Sequence, residues 1–380
     1  MYNAVNNHNN LIIRGSMHTY IMPVIVHDSI KDIMSMDNVP EYRYLAGGWV
    51  PFEGVILISR DNTSRARSAS SKKYKYFSIR DFEKYLCNTQ DERLTSIYKK
   101  MLAKRMPVSG IDMDTPRCMT IINATPDSFS DGKPECNTID YAEKIRQSMN
   151  VSSFIDIGGE STRPGAHDID HNEEHRRVAP IFSEIYKRQM HMSCAFSIDT
   201  RKTSVAEMAF SKGATIMNDV SGLNYDPSSI PFIAQSGKWV CVVHSQGTPG
   251  NMQDNPEYED VVLDVFDFFE NKIAQLEKAG ISSQRIIIDP GIGFGKNTSH
   301  NVKLIKNIAI FHGLGCPILV GASRKRFLGE LSCEPDATKR DPQTASVAIY
   351  CVSCGVQIHR LHNPEIFIKM LSVYKSLYSI

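Results

Sequence analysis

The stretch GASRKRF at 321–327 sets three cations, Arg324, Lys325 and Arg326, directly behind CPILVGA (316–322), a run with the composition of a buried strand. Burying charge without a partner is costly. Either the strand ends there in a solvated turn, or the cations meet something at its end. Other apolar runs close in the same way, on Asn123, Asp156, Asp199, Asn218, His244, Asp289 and Arg360. One polar residue at a strand end is ordinary, but a set mixing amides, carboxylates and cations points to a site. Asp199, Asn218 and Asp289 suit a flat heterocycle with N–H donors, because a carboxylate meets an amidine-like edge with two parallel hydrogen bonds. Lys325 can donate to carbonyl or ring-nitrogen acceptors of the same ligand. A plainer reading stays open for each, since DPG after Asp289 and DT at Asp199 are also turn sequences.

A second group suits an anion. Arg163 lies in GGESTRPG (158–165), and Arg360 and His362 lie in HRLHN (359–363), where alternate residues of a strand end share a side. Asn123 offers a neutral oxygen to a hard cation. Together these groups suit a diphosphate with Mg²⁺. No serine, cysteine or lysine is set up as a nucleophile, and zinc-type His/Cys spacings are absent. CVSC at 351–354 has redox spacing but lies in an apolar helical stretch, which favours packing.

These residues need a scaffold. From about residue 117, short β-branched runs alternate with amphipathic helical stretches such as YAEKIRQSM (141–149) and YEDVVLDVFDFFENKIAQLEKAG (258–280). The runs are CMTIIN, SFIDIG, AFSID, ATIMND, WVCVVH, RIIIDP, PILVGA and VQIHR. Such alternation predicts a parallel sheet covered by helices. Eight units in about 265 residues predict a (β/α)₈ TIM barrel with its site at the carboxyl ends of the strands. An open doubly wound sheet is the alternative, and it is weakened because no glycine-rich nucleotide loop follows the first strand. Residues 1–115 differ in texture and read as an N-terminal extension of unknown role, joined by a linker, PVSGIDMDTPR (107–117), to a barrel over 116–380. A chain starting near Thr115 is expected to keep some ligand binding at the strand ends if the extension is only an accessory layer.

Composition excludes several classes. The chain has 380 residues, is 42% hydrophobic and 22% charged, and carries a formal net charge of +1. Near-neutral charge argues against nucleic-acid binding by charge density. The basic stretch RDNTSRARSASSKKYKY (60–76) reads as a solvated loop. No apolar run reaches the ~20 residues of a membrane span, and the polar N-terminus does not resemble a secretory signal. Nine cysteines without a framework fit a reducing cytoplasm.

INATPDSFSDG (122–132), DIGGESTRPG (156–165), SIDT (197–200), MNDVSG (217–222), HSQGTPGNMQ (244–253), DPGIGFGK (289–296), GASRKRF and RLH (360–362) resemble, in order, the signatures of the dihydropteroate synthase family. The resemblance implies a pterin-binding barrel that condenses 6-hydroxymethyl-7,8-dihydropterin diphosphate with 4-aminobenzoate through a dissociative displacement. It implies that Asp199, Asn218, Asp289, Phe294 and Lys325 hold the pterin, with Asp199, Asp289 and Lys325 catalytic. Asn123, Arg163, Arg360 and His362 would hold the diphosphate, with Asn123 on Mg²⁺. Phe129, Asp131, Thr162, Pro164 and Arg326 would shape the aminobenzoate site, and Arg324 would be a structural tether. A cytoplasmic homodimer without nucleic-acid or membrane partners is also implied.

Three positions depart from the family pattern. Ser245 stands where a methionine is frequent, Asn363 where an aspartate is common, and Arg326 where many members have serine. The rival readings are a pterin-binding methyltransferase and a non-catalytic relative. The loops at 124–136 and 161–172 are rich in Ser, Asp, Gly and Pro, so aminobenzoate is expected to bind only after pterin diphosphate has ordered them.

Overall fold

The computed structural model describes residues 17–26, 41–61, 72–125, 138–161, 166, 168–247, 252 and 255–378. Eight parallel strands build its centre: β5 (Arg117–Asn123), β6 (Phe154–Gly158), β7 (Ala195–Asp199), β8 (Ala214–Asp219), β9 (Trp239–Val243), β10 (Ile286–Asp289), β11 (Leu319–Val320) and β12 (Ile358–Leu361). They neighbour one another in the order β10-β9-β8-β7-β6-β5-β12-β11, and a parallel bridge between Ile288 and Ile318 joins the two ends. The result is the expected (β/α)₈ barrel. Its helices include α3 (Thr138–Met149), α4 (His171–Lys187), α5 (Thr203–Ser211), α6 (Ser229–Ser236), α7 (Val261–Lys278), α8 (Thr298–Lys306), α9 (Arg326–Ser332), α10 (Asp341–Ser353) and α11 (Pro364–Tyr378).

The barrel interior is a packed layer of Met119, Phe154, Ala195, Ile216, Cys241, Ile287, Leu319 and Ile358, one residue or more from each strand. Below it the stretch at 107–117 does more than link. Val108 and Met113 join this layer, and Ser109 Oγ donates to Thr215 Oγ1 at 2.9 Å, so the segment plugs the amino-terminal end of the barrel. A bridge between Val108 and Ile111 makes the tight turn, with Gly110 at a φ of +83° where side chains are strained.

The described residues between 17 and 102 form an antiparallel sheet, β1 (Met17–Ile25), β2 (Arg43–Tyr44), β3 (Pro51–Asp61) and β4 (Lys73–Ser78), with α1 (Ile79–Thr89) and α2 (Glu92–Leu102). Ser78 and Asp91 cap the two helices by accepting from Asp81 N and Leu94 N. This region shares its core with the barrel: Tyr20, Phe82, Ile97 and Met101 belong to one buried cluster with Phe266, Phe269 and Phe311. Arg105 donates to His312 O at 2.8 Å, and Trp49 Nε1 to Val352 O at 2.9 Å. The extension therefore shares a continuous core with the outer layer of the barrel. No described helix is long and apolar enough to cross a membrane.

Candidate active site

Two-residue alternation decides which side chains reach the mouth. Two residues on from the interior layer, Phe154 leads to Asp156, Ile216 to Asn218, Ile287 to Asp289 and Ile358 to Arg360. Two further steps from Met119 and Ala195 give Asn123 and Asp199. Apart from Asp156, in the middle of β6, these lie at or next to the carboxyl-terminal ends of the strands, where barrel enzymes carry their chemistry.

The side chains converge there. Arg360 donates from Nε to Asp156 Oδ2 and from Nη2 to Asp199 Oδ2, both at 2.6 Å. Asn218 Nδ2 donates to Asp156 Oδ2 at 3.0 Å. Asp156, Asp199, Asn218 and Asp289 are all buried. Yet Asp156 Oδ1, Asn218 Oδ1 and Ser197 Oγ have no partner among the described residues. A buried polar atom left unpaired costs about 1–3 kcal/mol, so these acceptors are poised for N–H donors of a ligand.

Lys325 enters from the turn after β11. Its Nζ lies 4.0 Å from the centroid of the Phe294 ring and donates to Ile292 O. Its stem lies against Gly293, where an added Cβ would meet Lys325 Cδ at 2.8 Å and φ is +82°. Burial pulls the Lys325 ammonium down to about 8, opposed by the charge of Asp289. Burial pushes Asp289 up, opposed by Lys325 and by a 2.8 Å hydrogen bond from Gly291 N. Burial also pushes Asp199 up, with Arg360 opposing and Asp156 adding to the rise. Three carboxylates, Asp156, Asp199 and Asp289, thus share two cations, Arg360 and Lys325.

Behind this wall Lys296 is buried with no carboxylate among its described hydrogen-bond partners, although the charge of Asp289 acts on it. Its Nζ donates to the carbonyls of Phe294 at 2.9 Å, Gly291 at 3.0 Å and His244 at 3.2 Å, and it lies 2.9 Å from His244 Nδ1. Burial pulls both Lys296 and His244 well down. The lysine ties the end of β9 to the glycine-rich turn after β10. Gly291 permits this approach, because a Cβ there would lie 1.8 Å from His244 O.

The expected residues are distributed as follows. Asp199, Asn218, Asp289, Phe294 and Lys325 come together, and Asn123 ends β5 at the same mouth. Arg360, expected at a diphosphate, donates to Asp156 and Asp199 at the same mouth. His362 Nδ1 lies 2.9 Å from Ser323 Oγ. Arg324 is a tether, with Nε and Nη2 on Asp341 at 2.7 and 2.8 Å, and Asn363 also donates to Asp341 at 3.2 Å. Arg326 starts α9, is 69% exposed and pairs with Glu330 at 3.1 Å, so it faces solvent. Phe129, Asp131, Thr162, Arg163 and Pro164 lie outside the described residues. CVSC packs: Cys351 and Cys354 are buried, and burial pushes Cys354 to about 11.

Two residues had no role in the sequence reading. Asp156 reads as a strand end but stands mid-strand in β6 and receives both Arg360 and Asn218; its signal was a carboxylate inside an apolar run. Lys296 closes DPGIGFGK, where a lysine after a glycine-rich turn looks solvent-bound.

A model of the pterin binding enzyme family matches residues 119–362. The dihydropteroate synthase of Escherichia coli strain K12 is 37% identical over 272 residues, covering 71% of this chain and 95% of that protein. The chain belongs to the dihydropteroate synthase family. Two solved members superpose well on it. The Yersinia pestis enzyme with a sulfonamide drug gives a TM-score of 0.66 at 35% identity, over 71% of this chain and 97% of that one. The Xanthomonas albilineans enzyme with 4-aminobenzoic acid gives 0.67 at 34% identity, over 73% and 98%. The family match starts after the antiparallel sheet, which is an addition to the family's barrel.

Proposed function

We infer that this chain catalyses the dihydropteroate synthase reaction, joining 6-hydroxymethyl-7,8-dihydropterin diphosphate to 4-aminobenzoate with release of diphosphate. The observation that carries this reading is the pair of buried, unpartnered acceptors, Asp156 Oδ1 and Asn218 Oδ1, beside Asp199, Asp289 and Lys325. They match the N–H-rich edge of a pterin, and Lys325 over Phe294 supplies a donor for its carbonyl or ring nitrogen. The bond from the methylene carbon to the diphosphate oxygen breaks first, and its electron pair leaves with diphosphate. The aryl amine then bonds to the cationic carbon and loses a proton to solvent. A surplus of carboxylate over cation favours positive charge developing on the pterin. An aryl amine is already nucleophilic when neutral, so no activated side chain is required.

Asn123, Arg163, Arg360 and His362 are proposed to receive the diphosphate. Arg360 would then release at least one of its carboxylates. Asn123 offers one neutral amide oxygen, which fits Mg²⁺ that keeps waters and arrives with the diphosphate. That ion would offset diphosphate charge, while Asn123 holds its position at the end of β5. Thr162, Pro164, Phe129 and Asp131 remain proposed for aminobenzoate. We propose a homodimer through α11, whose Met370, Val373 and Leu377 are 36%, 60% and 68% exposed along one helical stripe. Eight free cysteines among the described residues support the reducing cytoplasm as its compartment.

Purified chain supplied with pterin diphosphate, radiolabelled 4-aminobenzoate and Mg²⁺ should form labelled dihydropteroate. Pterin binding without any condensation, or methyl transfer from a methylated folate, would overturn the reading.

A further inference from the structure

The antiparallel sheet lies outside the family match, which begins at residue 119, yet it grips the barrel beside the site. Between β9 and α7, residues 255–260 are described and run into the helix. Arg60, near the end of β3 and buried, donates from Nη1 to Asp264 Oδ1 at 2.7 Å and from Nη2 to Glu259 Oε2 at 2.5 Å. Lys72, just before β4, pairs with Asp260. Asp260 also accepts from Lys303 at 3.0 Å and caps α7 through Val262 N and Leu263 N.

Tyr258 stands immediately before these anchors and faces the other way. Its hydroxyl donates to Gly295 O at 2.8 Å. Its ring lies 6.0 Å from the His244 ring and 5.9 Å from Lys296 Nζ. Gly295 connects Phe294, the ring under Lys325, to Lys296, which binds three carbonyls of the same turn and the end of β9. A continuous set of contacts therefore runs from Arg60 through Glu259 and Tyr258 to the Phe294 wall.

We propose that Arg60 is a positioning residue for the pterin pocket: by holding Glu259 and Asp264 it fixes Tyr258 against Gly295, and so the Phe294 ring. One guanidinium with two carboxylates is a rigid clamp, because its planar fork loses little freedom on binding. The clamp acts on the first turn of α7 and leaves the reacting atoms to the barrel's own residues. The proposal rests on the assignment of the pterin to Phe294 and Lys325.

Full-length Arg60→Gln and Tyr258→Phe enzymes test it by steady-state kinetics in both substrates and by titration with a fluorescent pterin, alongside melting curves. The KM for pterin diphosphate should rise about five-fold in each, while kcat and the KM for aminobenzoate move less than about two-fold. The double variant should be no worse than the worse single one, because both break the same connection, and Arg60→Lys should recover part of the loss. An unchanged pterin KM, an equal rise for aminobenzoate, or effects that multiply in the double variant would overturn the proposal. If Arg60→Gln fails to fold, Glu259→Gln with Tyr258→Phe poses the same question with the same outcomes. Wild-type enzyme without turnover would sink the functional reading alone, and the pterin titration would still decide the role of Arg60.

Discussion

The mouth of the barrel and the seam under the antiparallel sheet both gather charge, and they satisfy it differently. Along the seam, carboxylates of α7 and the turn before it meet cations or hydroxyls: Glu259 and Asp264 meet Arg60, Asp260 meets Lys72, Glu270 meets Arg93 at 2.9 Å, and Asp267 accepts from Tyr20 at 2.9 Å. None of these carboxylates has a buried oxygen without a partner among the described residues. At the mouth the carboxylates outnumber the cations, and Asp156 and Asn218 keep open acceptors. Paired charge at the seam fixes a docking register. Underpaired charge at the mouth is tolerated because a ligand completes it.

The sharpest way to break this comparison is to remove the seam. Deleting residues 1–115 uncovers Phe266, Phe269, Phe311 and the bottom of the barrel around Met119. Each large apolar side chain is worth about 1.5–3 kcal/mol on burial, against a total stability of about 5–15 kcal/mol. The truncated chain should be insoluble or lack a cooperative melt. A folded truncation that binds pterin normally would show that the two regions are independent.

Changes at the mouth should have the opposite profile. Asp289→Ala and Lys325→Ala each remove one of two opposite charges that act on each other at the mouth, a loss of roughly 2–5 kcal/mol, and ~3 kcal/mol is about 150-fold in kcat/KM. Folding should persist, because the partners in the site are shared among five charges. Wild-type kcat/KM in either variant would dissolve the distinction between the regions.

A milder probe is pH. Lys325 is pulled down to about 8, so it is charged below that value and neutral above it. As its ammonium is the group proposed to donate to the pterin, kcat/KM for pterin diphosphate should fall about ten-fold per unit once pH exceeds ~8. Lys325→Arg, which stays charged, should lose that alkaline limb whatever its absolute activity. A limb that persists in Lys325→Arg would assign it to another group.

How far each region could be read beforehand follows from the range of its contacts. The barrel was legible because each strand is a local β-branched apolar run, buried along its length, and the mouth residues follow two or four positions after the interior layer. Asp156 escaped because its role depends on Arg360 and Asn218, which are brought to it by the curvature of the closed sheet. Arg360 was read as an anion ligand beside His362, and the carboxylates it meets in space, from β6 and β7, could not be read from its own stretch. The seam was not legible at all: Tyr20 meets Phe266 and Asp267, the latter 247 positions away in sequence, and no local periodicity encodes that pairing. Val108 and Met113 looked like linker because Gly110 and Pro107 flank them, but their burial is set by the open end of the barrel.

The smallest predicted effect separates the two ends of the seam. Trp49 lies at the amino-terminal end of the barrel, where its indole donates to Val352 O at 2.9 Å near the end of α10. Trp49→Phe keeps an aromatic ring but removes that donor, leaving a carbonyl to find water, a loss of about 1 kcal/mol. In a chain of this size that is a fall of a few degrees in Tm. Arg60 grips α7 at the opposite end, next to Tyr258, so the two seam variants should differ in what they touch. Trp49→Phe should melt earlier with both KM values and kcat unchanged, because Val352 lies at the floor end of α10, opposite the Asp341 end that holds Arg324 at the mouth. A selective change in the pterin KM of Trp49→Phe would mean that the whole sheet, rather than the Arg60 clamp, sets the geometry of the mouth.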